Sequence, residues 1–258
     1  MNAASYVSSL FDLTGHTGII TGASRGIGAG TAEVLARAGA HVYNYSRSKM
    51  EESVEGAEGK VLDLPGDVCD TDAFQKALEE VISREGQLDF LINNAGISGK
   101  YPAEEFPEER LDRILETDLK APFLLSRMAY PYLKKSAYTG RIINIASMAA
   151  YMGFSGVMPY NMAKSGILGL TRGLAEEWKE DNVLVNAVSP GWIQTRLNEG
   201  FFRENPDRKA AALSKPMLKR FGESREIGYM ILFLLSGASL YITGQDFAVD
   251  GGARSHGF

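Results

Sequence analysis

Three side chains in this sequence have the types and spacing to move a proton on and off a substrate oxygen: Ser147, Tyr160 and Lys164. Tyr160 and Lys164 stand four apart, so on a helix they share a face. A free phenol is too weak an acid to serve as a base near neutral pH. An ammonium beside it favours the phenolate, as does a positively charged ring bound nearby. Tyr160 can then exchange a proton with a hydroxyl or carbonyl oxygen. Ser147 can hydrogen-bond the same oxygen and hold it in place. The spacing alone selects nothing, because Tyr45–Lys49 and Tyr130–Lys134 repeat it. Only Tyr160–Lys164 opens a helix after a strand that ends near a serine.

A second constellation is Thr21-Gly-Ala-Ser-Arg-Gly-Ile-Gly28. It falls between an apolar strand and a helix, where a pyrophosphate would rest on the helix N-terminus. Gly22, Gly26 and Gly28 let the backbone turn tightly and approach the phosphates, with Ser24, Arg25 and Ile27 completing the loop. An acidic residue at the end of the next strand would bind the ribose hydroxyls of NAD. Ser46 occupies that place here, followed by Arg47. With Arg25, it gives two cations to face a 2′-phosphate, and the arginine fork suits phosphate. The expected cofactor is therefore NADP, with NAD as the alternative. A nicotinamide beside a proton-exchanging tyrosine implies hydride transfer to or from the carbon of an alcohol or ketone.

The elements that must position these groups alternate along the chain. Strands are expected at Gly18–Thr21, His41–Tyr45, Val61–Leu64, Phe90–Asn93, Arg141–Ile145, Leu184–Val188 and Phe247–Val249. Helices are expected at Ile27–Ala38, Thr71–Arg84, Tyr160–Lys179 and Arg225–Leu235. A further helix over Glu108–Lys135 should bend or break near Pro122 and Pro131. This rhythm predicts an α/β fold: one doubly wound, parallel, seven-stranded sheet with helices on both faces, and ligands at the strands' carboxyl ends. No linker or repeat divides residues 1–258, which are expected to form one domain. The stretch 192–222 breaks the rhythm and is expected to be a helical lid or substrate loop.

Composition excludes other classes. Hydrophobic residues make up 45% and charged residues 23% of 258, which argues against disorder. The net charge of −5, with no basic stripe, argues against a nucleic-acid partner. Cys69 is the single cysteine, so no intrachain disulfide can form. Residues 1–10 lack the pattern of a secretory leader, and the uncharged run Ile227–Gln245 is broken by glycine and serine. Neither a membrane association nor a metal site is expected, and a cytoplasmic location is.

With these residues in place, the chain resembles the short-chain dehydrogenase/reductase family from about Phe11 to Gly252. The matching motifs run in the family's order: the glycine loop, Asp67-Val68, Asn93-Asn-Ala-Gly96, Ser147, Tyr160-Asn-Met-Ala-Lys164, Pro190-Gly191 with Ile193 and Thr195, and Asp250-Gly-Gly252. The resemblance implies that Asp67 and Val68 meet the adenine. It implies that Asn94, Ala95 and Gly96 lie along the cofactor, and that Pro190, Gly191, Ile193 and Thr195 flank the nicotinamide. Lys164 is expected to hold the ribose as well as to act with Ser147 and Tyr160. One residue departs from the pattern. Asp118 stands where the family usually places an asparagine that supports the proton relay. An ionised carboxylate accepts hydrogen bonds but donates none, and a buried negative charge disfavours a nearby phenolate. Asp118 is thus expected to keep a relay with a different pH dependence.

For the substrate, Leu10-Phe-Asp-Leu-Thr-Gly15, Ile142-Ile-Asn-Ile-Ala-Ser-Met148 and Ala175-Glu-Glu-Trp178 resemble the gluconate 5-dehydrogenase and 2-deoxygluconate 3-dehydrogenase group. This implies a sugar, polyol or sugar acid. Ser98, Tyr101, Met148, Tyr151, Met152 and Trp192 are candidate pocket walls, and Arg196 and Lys215 candidate carboxylate contacts. Two alternatives are a 3-oxoacyl-thioester (acyl-carrier-protein) reductase and a noncatalytic dinucleotide-binding regulator. The resemblance also implies a homotetramer built through long helices. Ala163, Ile167, Leu170, Leu174 and Trp178 form an apolar stripe, with Leu168 and Ala175 beside it, wide enough for both the sheet and a partner helix.

Overall fold

Runs such as Phe90-Leu-Ile-Asn93 and Arg141-Ile-Ile-Asn-Ile145 are apolar at successive positions, so both faces of the strands they form must be covered. A computed structural model describes residues 2–52, 54–195, 200 and 202–256. Its main sheet contains β1 (Thr17–Thr21), β2 (His41–Ser46), β3 (Lys60–Pro65), β4 (Phe90–Asn93), β5 (Gly140–Ile145), β6 (Val183–Pro190) and β9 (Asp246–Val249). Their order is β3-β2-β1-β4-β5-β6-β9, and every pairing is parallel. The expected α/β architecture with seven parallel strands is present.

Alternate residues serve opposite layers. Leu91, Ile142 and Val185 pack with Leu78, Leu125 and Leu174, from α3 (Thr71–Glu85), α5 (Ala121–Leu133) and α6 (Met158–Glu177). Ile92, Ile143 and Val188 pack on the other face with Leu35, Ile227 and Ile231, from α2 (Gly26–Arg37) and α8 (Ser224–Leu235). The chain winds outward through β1, β2 and β3, then returns to place β4 against the free side of β1. That reversal leaves a crevice at the carboxyl ends of β1 and β4, where no crossover lies.

Three features differ from the expectations. A helix α1 (Ala3–Phe11) precedes the sheet, capped by the Asn2 side chain, which accepts from the Ser5 N–H at 2.9 Å. The long helix is interrupted just before Pro122, as expected, but not at Pro131. Glu116–Lys120 forms a wide π turn between α4 (Glu108–Leu115) and α5, closed by a bond from the Ala121 N–H to the Glu116 carbonyl. Pro122 follows the π turn directly and has no N–H to give the Asp118 carbonyl, so the regular ladder is interrupted there, and Pro131 lies near the end of α5. Residues 192–222 include a short parallel pair, β7 (Ile193–Gln194) with β8 (Gly222–Glu223), and α7 (Pro206–Ser214). Among the described residues no helix is long and apolar enough to cross a membrane.

The polar cap on α8 fixes the end of that segment. Glu226 accepts from the Glu223 N–H at 2.8 Å and takes both arms of Arg220, at 2.6 and 2.8 Å. The Arg220 hydrogen bonds, followed by the Glu223 N–H, lower the Glu226 carboxyl from 4.5 to about 2. A depressed carboxyl contributes stability above its unfolded value and loses it as pH falls towards its folded value. Glu226→Gln should therefore lower the melting temperature at neutral pH. The gap to the parent chain should narrow as pH drops below 4.5. Thermal melts of both chains over that range check this, and a constant gap would refute it.

Candidate active site

The glycine loop forms a cradle because its backbone does what side-chain-bearing residues resist. Gly22 and Gly26 hold φ of +69° and +61°. A Cβ on Gly28 would stand 2.6 Å from both Asn94 Nδ2 and the Gly22 carbonyl oxygen, so the turn closes only on glycine. Arg25 precedes α2 in extended conformation without capping it by a side chain, which leaves the first-turn N–H groups for an anion. The opposite wall is tied on by Thr21, whose hydroxyl accepts from the Asn94 and Ala95 N–H groups at 2.9 and 3.0 Å. Asn94 Nδ2 donates to the Thr21 and Gly22 carbonyls at 2.8 and 3.0 Å. Gly96 follows on that wall. Thr195 reaches the loop from beyond β7, its methyl 3.5 Å from where a Gly26 Cβ would sit. Beside it, Pro190 ends β6, Gly191 packs so closely on Asp250 that a Cβ would fall 2.5 Å from its Cα, and Ile193 is buried. The cradle's shape, the uncapped first turn of α2 and the bare backbone at Gly22, Gly26 and Gly28 fit a dinucleotide pyrophosphate.

The end of β2 carries the second part of the site. Ser46 turns its hydroxyl into its own loop and donates to the Ser48 carbonyl at 2.6 Å. The Glu51 N–H donates to the Ser24 carbonyl at 3.0 Å, joining this loop to the glycine loop. Arg25 and Arg47, on the two joined loops, are exposed. Neither has an ion-pair partner among the described residues. After β3, Asp67 accepts from the Cys69 N–H and from Arg113, each at 3.0 Å. Burial raises the Asp67 carboxyl, but those two donors outweigh it and hold the group below its usual range. Tyr45 donates to the Asp67 carbonyl at 3.2 Å, and Val68 is buried.

Ser147 follows β5 in extended conformation. Its Oγ accepts from the Ala149 N–H at 3.1 Å and starts the short turn Met148–Ala150. Tyr160 and Lys164 lie one turn apart near the start of α6, where Pro159 supplies a φ suited to the first turn. Tyr160 is half-buried, and Lys164 is 4% exposed. Lys164 Nζ donates to the Ile145 carbonyl at 3.0 Å and lies 5.5 Å from the Tyr160 ring centre. The π turn faces Asp118 inward, 3.4 Å from the same ammonium. Its other carboxylate oxygen accepts from the Ile97 N–H at 2.8 Å. A phenol and an ammonium thus lie together at the start of α6, and a serine hydroxyl follows β5, all towards the carboxyl edge of the sheet. A nicotinamide bound there would supply or take the hydride, and the phenol is placed to exchange the proton.

The candidate substrate residues scatter more widely. Ser98 is exposed and Met148 buried, while Tyr101 and Met152 are half-buried. The Tyr101 N–H bonds the Gly156 carbonyl at 2.9 Å, joining the loop after β4 to the loop before α6. Tyr151 is exposed and tied in place. Its hydroxyl donates to Asp246 at 2.6 Å, and Arg254 covers its ring at 3.7 Å. Trp192 sits edge-on between Phe154 and Phe202, at 6.3 and 5.8 Å, and Phe202 stacks on Phe221 at 4.9 Å. Arg196 lies outside the described residues. Lys215 is exposed, and its carbonyl meets His256 at 2.8 Å.

Sequence reasoning missed two groups. The aromatic run Phe154–Trp192–Phe202–Phe221 comes from four separated segments with no common spacing. The second group is a buried amide ladder: Asn93 Nδ2 donates to Asn144 Oδ1 at 2.8 Å and to Ser126 at 3.0 Å, and Asn144 Nδ2 donates to Thr171 at 3.0 Å. Its signal was the lone asparagine inside Ile142-Ile-Asn-Ile145.

Comparison with known proteins agrees with this geometry. A family model described as enoyl-(acyl carrier protein) reductase matches residues 22–254. A tropinone reductase homologue of Arabidopsis thaliana is 38% identical over 96% of each chain. A 2-dehydro-3-deoxy-D-gluconate 5-dehydrogenase of Dickeya dadantii is 34% identical over 95% of this chain and 98% of the other. A 3-oxoacyl-[acyl-carrier-protein] reductase of Thermotoga maritima is 36% identical over 93% and 98%. A solved structure described as a candidate NAD(P)-dependent gluconate 5-dehydrogenase from Beutenbergia cavernae, with NADP bound at low occupancy, superposes with a TM-score of 0.87. It is 34% identical and covers 96% of this chain and all 100% of its own. With its sheet order, glycine cradle and Ser147–Tyr160–Lys164 set, the chain belongs to the short-chain dehydrogenase/reductase family of NAD(P)-binding oxidoreductases.

Proposed function

We propose that this enzyme is an NADP-preferring oxidoreductase that interconverts a secondary alcohol and a ketone on a sugar, polyol or sugar acid. The observation that supports the reaction is the Tyr160 ring 5.5 Å from the Lys164 ammonium, which is itself bonded to the end of β5, the strand that Ser147 follows. Ser147 orients the substrate oxygen, Tyr160 exchanges its proton, and Lys164 favours the phenolate and holds the ribose. Asp67 and Val68 take the adenine side, and Pro190, Gly191, Ile193 and Thr195 take the nicotinamide side.

NADP preference rests on Arg25 and Arg47, which stand on joined loops where β2 ends in a serine instead of an acid. The sugar-acid reading rests on the similarity to 2-dehydro-3-deoxy-D-gluconate 5-dehydrogenases. The segment 192–222 acts as the lid, with Trp192 as its hinge contact between Phe154 and Phe202. Similarity to the Thermotoga reductase supports a second reading, a 3-oxoacyl-thioester reductase, against which stands the net charge of −5.

The expected oligomer is a homotetramer. Most of the apolar stripe on α6 is consumed by the chain's own core, since Ala163, Ile167, Leu168, Leu174, Ala175 and Trp178 are buried. What faces outward is a shallow groove of about 430 Å³ between α5 and α6, lined by Phe123, Arg127, Leu170, Gly173 and Glu177. A second copy laid across this groove would cover Phe123, which is 40% exposed.

Reduced-cofactor absorbance should fall with NADPH against a panel of keto-sugars, ketogluconates and a 3-oxoacyl thioester. Tyr160→Phe should remove at least about 99% of that turnover, as loss of a general acid–base does. Full activity in this variant would favour a noncatalytic binding role for the fold. Arg25→Ala and Arg47→Ala should each raise KM for NADPH about tenfold and leave NADH unchanged, the loss of one charge-assisted hydrogen bond. Equal effects on both cofactors would remove the basis for NADP preference. Gly173→Arg should split the tetramer in sedimentation runs, and an intact tetramer would place the interface elsewhere.

A further inference from the structure

A carboxylate out of contact with water is costly unless a cation or several donors compensate it. Asp118 is 0% exposed, yet it carries few partners. Oδ1 accepts from the Ile97 N–H at 2.8 Å. Oδ2 makes no hydrogen bond within the described residues and lies 3.4 Å from Lys164 Nζ. Two local devices bring it there. The π turn rotates Thr117 and Asp118 inward while Glu116 and Lys120 stay in water, 3.9 Å from each other. Gly96 leaves the space, since a Cβ there would stand 2.7 Å from Asp118 Oδ2 and 3.5 Å from Lys164 Nζ.

The charged and titratable groups facing Asp118 are few. From α6 come Lys164 and, 5.5 Å from its ammonium, the Tyr160 ring. The segment after β4 offers the backbone of Gly96 and Ile97. Cys69, after β3, meets the neighbouring Thr117 at 3.6 Å. Burial pushes the Asp118 carboxyl up, and Lys164 and the Ile97 N–H oppose this without cancelling it.

A lysine ammonium has three N–H donors. One is given to the Ile145 carbonyl, and the Asp118 carboxylate lies 3.4 Å from the same nitrogen, so the ammonium is held between a carbonyl and a carboxylate. We propose that Asp118 is a positioning residue that aims Lys164 and offsets its charge, biasing the site towards carbonyl reduction at neutral pH. The inference rests on Tyr160 being the proton donor. In that direction the carbonyl carbon takes a hydride from the reduced nicotinamide, breaking its C–H bond. The carbonyl oxygen takes the Tyr160 proton, and the phenolate left behind regains a proton from water. Alcohol oxidation needs the phenolate first. A carboxylate beside Lys164 weakens the field that would favour it, so oxidation should require higher pH than Lys164 alone would set.

The test is kcat/KM in both directions over roughly pH 6–10, for the unmodified enzyme, Asp118→Asn and Asp118→Ser. Asparagine keeps an acceptor for Ile97, and serine removes the charge without adding bulk, so one variant can stand if the other fails to fold. The oxidation limb should move to lower pH by about one unit, the size of a nearby-charge effect. Reduction should then fade at a correspondingly lower pH. Superimposable profiles in folded variants, even with lower kcat, would overturn the inference and leave the Tyr160 reading intact. Undiminished activity in Tyr160→Phe would overturn both.

Discussion

The width of the crevice between β1 and β4 is set by one hydroxyl and one amide. Asn94 donates to the Thr21 hydroxyl and to the Thr21 and Gly22 carbonyls across the place where the winding of the sheet reverses, and the Ala95 N–H also donates to that hydroxyl. No helix crosses there to hold the strand ends together, so side chains must. Each bond contributes about 1 kcal/mol net, but a buried group left unpaired costs more. The contacts therefore specify a geometry more than they add stability. The loop keeps bare backbone at Gly22, Gly26 and Gly28 while the Asn94 side chain braces it from the opposite wall.

A second set of buried polar contacts carries that geometry to the catalytic helix. Asn93, Asn144 and Thr171 link β4, β5 and α6 in a line through the core. Lys164 adds a bond from α6 to the end of β5. A helix packed on a sheet by apolar contacts alone can slide or rotate at small cost. Directional bonds in a low-dielectric interior remove that freedom. Tyr160, on the same helix, thereby takes its place from the bonds that tie α6 to β5. The outer parts of the substrate side are held differently, by aromatic edges at Trp192 and by the Tyr151–Asp246–Arg254 cluster, both nearer the surface.

The fold and the cofactor cradle were legible in the chain because their signals are local. Continuous apolar runs of four to six residues, helical periods between them and a glycine loop at one junction lead to a doubly wound sheet. The choice among three Tyr–Lys pairs was also legible, since element order places only one of them after a strand near a serine. The α1 helix was not, because a short helix before the first strand leaves no mark on the βα rhythm.

What tertiary structure decided lies where one residue's placement depends on a distant neighbour. Pro122 marks where the helix is interrupted, but not that the interruption is a π turn, which here turns Asp118 onto Lys164 instead of into water. Tyr151 was a candidate pocket wall by position, but Asp246, far along the chain, claims its hydroxyl. The α6 stripe is apolar enough for two surfaces, and only the packing of the sheet shows that one of them takes nearly all of it. Residue types and spacing thus determined the chemistry this chain can hold. Contacts between segments far apart in sequence decided which groups meet, because side-chain direction is set by packing and buried hydrogen bonds that no local window contains.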